Sequence, residues 1–203
     1  MSKLDEYKIL ARAALSDKRY RHTLNTAEMC VRLAEKHAPE LSELAEKAEI
    51  AGILHDIRKE VPKELQAAEV LKTATDTRFA MYPPDTEEIN TPPLHHGVSA
   101  AYYAVTELGV TDTDIIAAIR FHTVGRDNMS VLEKIVYLGD LVSAERDFKN
   151  VDYYRALAFE DLDNAMFAAF RFQIAKNAEK GGYIPLYSIK GYNYYKGCEL
   201  PRS

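Results

Sequence analysis

His55 and Asp56 stand side by side after the apolar run Ile50-Ala51-Gly52-Ile53-Leu54 and just before Ile57. Taking an imidazole and a carboxylate out of water is unfavourable by several kcal/mol unless each finds a partner, and a metal ion is one such partner. Imidazole nitrogen and carboxylate oxygen together suit iron, manganese, zinc and similar divalent ions, and one carboxylate has two oxygens with which to bridge two of them. On a helix, neighbours point about 100° apart, so both side chains can flank one cavity while Ile53, Leu54 and Ile57 serve the core. Taken alone, the pair fits a hydrogen-bonded helix end equally well.

Other residues supply what a metal centre would still need. Asp140 interrupts Ile135-Val136-Tyr137-Leu138-Gly139 and Leu141-Val142, where a carboxylate is either a ligand or a buried hydrogen-bond acceptor. His22 follows Arg19-Tyr20-Arg21 near a helix start, His95-His96-Gly97 opens another helix, and His122 ends a third. Each histidine alone has a bland explanation, but the whole set beside His55-Asp56 is hard to assemble by independent accident. His37, in the polar helix end Glu35-Lys36-His37-Ala38-Pro39, reads as structural or solvent-facing.

Ions held by such donors would make bound water more acidic and so a better nucleophile. Lys59, four residues beyond His55, lies one helical turn away and can approach the same region. Arg126 and Arg146 are further basic residues of this kind, and a guanidinium can hold an anion through two parallel hydrogen bonds. With Arg19, Arg21, Arg58 and Arg120 they would give a local positive field. The overall net charge of −5 argues against broad contact with nucleic acid.

The elements that must carry these residues are helical. Apolar periodicity predicts helices over Leu4 to Ala14, Tyr20 to His37, Leu41 to Leu54, a start at Val61-Pro62-Lys63-Glu64, then Leu94 to Leu108, Ile115 to His122, Met129 to Val142, Tyr153 to Phe159 and Leu162 to Ala178. Thr111-Asp112-Thr113-Asp114 offers a cap, and Gly181-Gly182 a stop. Between Asp76 and Pro93, Tyr82-Pro83-Pro84-Asp85 and Thr91-Pro92-Pro93 read as loop. About nine helical segments and no alternating strand give an all-α, bundle-like fold. The 203 residues, 47% apolar, are enough for one domain spanning 1–203, with 183–203 as a tyrosine-rich tail.

No run approaches about 18 apolar residues, and the start Met-Ser-Lys-Leu-Asp-Glu-Tyr-Lys lacks a secretory pattern, so a cytoplasmic protein without membrane contact is expected. Cys30 and Cys198 form no metal or disulfide motif. The GxxxxGK[ST] phosphate loop is absent, which disfavours kinase or motor chemistry. Apolar and tyrosine-rich segments leave room for a homodimer.

The succession Arg21-His22, His55-Asp56-Ile57-Arg58-Lys59, Leu94-His95-His96-Gly97, His122-Thr123-Val124-Gly125-Arg126, the segment from Met129 to Asp140, and Asp161-Leu162-Asp163 resembles the bacterial YqeK family of HD-domain metal-dependent phosphohydrolases. The likeness runs from residue 18 to about 178. It implies an all-helical fold and symmetrical hydrolysis of diadenosine tetraphosphate to two ADP, with two iron ions, although manganese or another divalent ion suits the same donors. By motif position it assigns His22, His55, Asp56 and Asp140 to one ion, and His96 and His122 with bridging Asp56 to the second. The histidine that directly precedes glycine is the family's ligand, which favours His96 over His95. Asp56 and Lys59 would carry catalysis, and Lys59, Arg126 and Arg146 would hold the polyphosphate. Tyr82 with its proline loop, and the tyrosines near Tyr187, offer walls for adenine.

The chain departs from the family pattern at Ser143-Ala144, where a Glu-Pro pair is usual, and at Tyr183-Ile184-Pro185-Leu186-Tyr187 in the tail. Two further readings fit the same residues: an HD enzyme acting on another nucleotide or phosphoester, and a nucleotide-binding regulator with weak turnover.

Overall fold

Polar side chains that accept from free amides mark where the helices begin. Ser2 and Asp5 form a capping box at α1 (Lys3–Ala14), and Ser16 caps α2 (Asp17–His37). Asp112, inside the expected cap, accepts from the amides of Asp114 and Ile115 at the start of α7 (Thr113–Phe121). Ser130 and Glu133 box the start of α8 (Val131–Val142), and Asp161 caps α10 (Leu162–Glu179). Between these lie α3 (Ser42–Leu54), α4 (Lys63–Thr73), α5 (Thr86–Asn90), α6 (His95–Thr106), α9 (Val151–Glu160) and α11 (Leu186–Lys196). This computed structural model describes residues 1–198, and among them there is no strand.

The all-α expectation holds, with eleven helices among the described residues where periodicity predicts about nine. Both additions fall in segments read as loop or tail. Asp85 and Glu88 form a capping box that sustains the short α5 despite the surrounding prolines. In the tail, α11 packs on α10. Tyr195 is buried, stacks on Phe170, and its hydroxyl accepts from the Met129 amide at 2.9 Å. Gly125, at φ +62°, and Gly191 both face the Phe170 ring, where an added Cβ would come within 2.4 Å.

The core is formed by Leu33, Ile53, Leu54, Ile57, Ile119, Phe121, Ile135, Leu138 and Phe170, all essentially inaccessible. At its centre α2 is clasped by α3 and α8 through glycines. A Cβ on Gly52 would lie 2.6 Å from the Ala27 Cα, and one on Gly139 would lie 2.5 Å from the Cys30 Sγ. This close approach sets the ends of α3 and α8 beside the start of α2. The helix end expected at Leu54 is observed, so the 100° spacing of helical neighbours does not apply to His55 and Asp56. Helix α3 stops at Leu54, and the chain turns through residues 55–60, with the Lys59 amide donating to the Asp56 carbonyl at 2.8 Å.

Because the Gly52 neighbour is backbone, a methyl there has no soft side chain to displace. We expect Gly52→Ala to destabilise the protein by about 1–3 kcal/mol in urea unfolding, and an unchanged midpoint would show that α2 and α3 can separate freely.

Candidate metal centre

Four histidines converge with their Nε2 atoms inward. His55 donates Nδ1–H to the Gly52 carbonyl at 2.7 Å, His96 to the Pro93 carbonyl at 3.0 Å, and His122 to the Ile119 carbonyl at 2.7 Å. His22 donates Nδ1–H to the Glu145 carboxylate. Each of these bonds turns Nε2 toward the cluster, where a neutral ring offers its lone pair to a ligand.

Asp56 lies between them and is almost wholly buried. Its Oδ2 is 3.8 Å from both His22 Nε2 and His55 Nε2, while its Oδ1 is 3.5 Å from His96 Nε2 and 3.7 Å from His122 Nε2. One carboxylate thus presents one oxygen to each of two histidine pairs. Asp140 completes the first side, 3.0 Å from His22 Nε2. Donor atoms of His22, His55 and Asp140 lie within 4.8 Å of one another, as do those of His55, Asp56 and His122. His55 Nε2 and Asp56 Oδ1 are buried without a hydrogen-bond partner, a condition that a divalent ion would relieve.

Positive side chains gather at the same carboxylates. Arg19 approaches Asp56 Oδ2 at 3.2 Å, Arg146 pairs with Asp140, and the Lys59 ammonium stands 3.5 Å from Asp56 Oδ1 and 2.8 Å from His96 Nε2. These positions therefore favour a cation, which fits the residues to divalent metal. Burial works against the charge on Asp56, but His55, His122, His96 and Lys59 outweigh it, and its carboxyl is held well below the ordinary range. Asp140 is likewise lowered, by His22 and Arg146 against burial. Burial pushes His55 down to about 4 and, with Lys59, pushes His96 well below its ordinary value. His22 moves the other way: burial opposes its charge, but Asp140 and Glu145 raise it.

A cleft of about 440 Å³ opens beside the cluster. Lys59, His96 and Thr123 form its inner end, Gln173, Lys176 and Asn177 of α10 one side, and Pro93, Leu94, Ile184 and Pro185 its apolar walls. A smaller recess of about 80 Å³, lined by Asp140, Arg146 and Phe148, shares Gln173 and Lys176 with it.

The cluster thus gathers His22, His55, Asp56, His96, His122 and Asp140, with Lys59 and Arg146 at its edge. It leaves out His37, which donates to the Ala158 carbonyl at 2.7 Å, and His95, which donates to the Ile89 carbonyl at 3.0 Å. Gly97 packs against the same corner, where an added Cβ would lie 3.3 Å from the Thr123 hydroxyl and 3.4 Å from the His122 ring.

Arg126 is not brought to the cluster. Its Nε and Nη2 donate to the buried Glu133 at 2.6 and 2.8 Å, and its Nη1 to the Asp127 carbonyl at 3.2 Å. Arg120 is similarly held by Glu88, and Arg58 by Glu69, so the positive field comes from Arg19, Lys59 and Arg146. Tyr82 and Tyr187 pack edge-on against Phe121, and Tyr187 donates to the Pro83 carbonyl at 3.0 Å, so neither forms a wall of the cleft. Sequence reading missed Glu145, Gln173, Lys176 and Thr123, whose hydroxyl lies 2.9 Å from His96 Nε2 and 3.0 Å from His122 Nε2. Only the spacing of Gln173, Lys176 and Asn177 along one helix face signalled a polar wall.

An all-helical body with a histidine-aspartate cluster at its centre is the arrangement of the HD domain, whose family model matches residues 19–145, and the chain belongs to that family. It is 33% identical over 160 residues to the symmetrical bis(5'-nucleosyl)-tetraphosphatase of Halalkalibacterium halodurans, covering 79% of each chain. Against the protein of the same name from Staphylococcus aureus it is 28% identical over 196 residues, covering 95% of this chain and 94% of the relative. The crystal structure of a predicted HD superfamily hydrolase involved in NAD metabolism, from Clostridium acetobutylicum, superposes with a TM-score of 0.85 at 35% identity, covering 96% of this chain and 97% of that one. No helix among the described residues is long and apolar enough to cross a membrane.

Below its raised pKa His22 carries a proton, favoured by Asp140 and Glu145, that a ligand must displace, whereas burial favours the neutral forms of His55 and His96. Divalent metal binding should therefore tighten as pH rises through the raised His22 pKa, with release of about one proton per protein below it. Calorimetric titration with Mn²⁺ in buffers of different ionisation enthalpy checks this, and heats independent of buffer at pH 6 would contradict it.

Proposed function

We propose that the chain hydrolyses diadenosine tetraphosphate symmetrically to two ADP at a two-ion centre. The observation that carries this reading is the Asp56 carboxylate, with one oxygen toward His22 and His55 and the other toward His96 and His122, beside a cleft that Lys59 and His96 line. The relatives named symmetrical bis(5'-nucleosyl)-tetraphosphatase supply the substrate class.

In this reading His22, His55, Asp56 and Asp140 hold one ion, and His96 and His122 with Asp56 hold the second. Iron is our choice of metal on family likeness, and manganese suits the same donors. When bound, divalent ions here supply Lewis acidity, drawing charge from a phosphoryl oxygen and making water a better nucleophile.

The chain's own residues do the rest. Water attacks one of the two inner phosphorus atoms and forms a new P–O bond there. The central P–O–P bond breaks, its bridging oxygen leaves with the second ADP, and the water proton passes to solvent. Lys59, common to the cluster and the cleft, places its ammonium against the polyphosphate, and Lys176 adds a second positive charge further out. Pro93, Leu94, Ile184 and Pro185 give a purine an apolar face, while Gln173 and Asn177 offer amide groups for its edge or for ribose. Because Ile184, Pro185 and Ser188 border the cleft, we read the tail segment that carries them as part of one catalytic domain.

Iron-loaded protein mixed with diadenosine tetraphosphate without oxygen should yield ADP as sole nucleotide product. ATP with AMP would overturn the cleavage position, and no product from verified metal-loaded protein would overturn the substrate. Asp56→Ala should lose bound metal and turnover together, whereas His37→Ala should lose neither. Lys59→Ala should keep its metal yet fall about 10²-fold in kcat.

A further inference from the structure

The inward-facing histidines are oriented by two different devices. His55 ends α3, His122 ends α7, and His96 lies at the second position of α6, so each has a carbonyl three residues back that accepts its Nδ1–H. His22 lies inside α2, where successive carbonyls are engaged by the helix itself. It needs an acceptor from elsewhere in the chain, and Glu145, 123 residues away in sequence, supplies one carboxylate oxygen.

That carboxylate is itself fixed. Ser143 donates to Glu145 Oε1 at 2.8 Å, and Asn25, one turn along α2 from His22, donates to Oε2 at 2.7 Å. The backbone beneath is pinned by Arg155, which donates to the carbonyls of Val142, Ser143 and Arg146 at 3.0, 3.0 and 2.8 Å. The adjacent Arg146 bonds the Asp140 side chain and, at 2.9 Å, its carbonyl. Two neighbouring residues of opposite charge thus hold two neighbouring members of the cluster. Ser143, where the family pattern has glutamate, is fully buried and contributes to that hold.

We infer that Glu145 is a positioning residue: by accepting the His22 Nδ1 proton it fixes the ring orientation and keeps Nε2 open toward the ion on the Asp140 side. Glu145 is not a ligand in this account, because it occupies the nitrogen that faces away from the cluster. Ring nitrogens of metal-binding histidines usually have such a partner, and its loss weakens metal binding about 10–100-fold. The inference rests on the metal-centre reading above and assigns to it a residue that contacts neither substrate nor ion.

The test is equilibrium binding of Mn²⁺ to metal-free full-length protein, comparing wild type with Glu145→Ala and Glu145→Gln. Wild type should bind two ions, and Glu145→Ala should weaken one of them about 10–100-fold. Glu145→Gln, which keeps an acceptor oxygen, should recover most of that loss. In the zinc-loaded protein, the downfield NMR signal of the His22 Nδ1 proton should persist in wild type and Glu145→Gln and disappear in Glu145→Ala. Wild-type affinity for both ions in Glu145→Ala, or a Glu145→Gln variant as weak as Glu145→Ala, would overturn the positioning role while leaving the centre intact. A wild-type protein that binds no divalent ion would overturn the centre, and this role with it.

Discussion

A buried, ionised carboxylate at Asp56 is the constraint around which the molecule is arranged. It lies at the end of an apolar helix, where an unpaired negative charge would be unfavourable by several kcal/mol. The fold answers by bringing the start of α2, the ends of α3, α7 and α8 and the start of α6 to one point. Gly52 and Gly139 permit that convergence, since a methyl at either would drive α2 away from its neighbours. The same packing that fills the core therefore sets the spacing of the cluster.

Charge is divided between two tasks. Arg58, Arg120 and Arg126 are paired with Glu69, Glu88 and Glu133 and tie segments together. Arg120 also donates to the carbonyls of Tyr82 and Pro83, which secures the proline-rich segment before α6. Arg19, Lys59 and Arg146 instead meet Asp56 and Asp140. An acidic chain can in this way keep a positive entrance to an anionic substrate.

Much of the site was legible because its residues contradict their surroundings: His55-Asp56 and Asp140 are polar groups in apolar segments. His37 was recognisable by the opposite sign, a histidine in a polar helix end. The choice between His95 and His96 lay beyond periodicity, since adjacent residues at a helix start are separated only by the direction each ring takes. Glu145 was illegible for a related reason. It sits in a charged stretch after α8, where glutamate is ordinary, and only the three-dimensional course of α2 gives it a histidine to hold. The basic residues misled in the same way, because sequence records a positive charge but not the buried glutamate that engages it. The tail was uncertain until the tyrosines found partners: Tyr195 on Phe170 and Tyr187 on Phe121 turn a segment interrupted by glycine into a packed helix.

The central claim is that one aspartate serves two ions. Anomalous diffraction from crystals of the protein loaded with Mn²⁺ tests it most directly. The account predicts two peaks on opposite sides of Asp56, one among His22, His55 and Asp140 and the other between His96 and His122, each in contact with a different Asp56 oxygen. A single peak at full occupancy, or two peaks with Asp56 bound to only one, would contradict it.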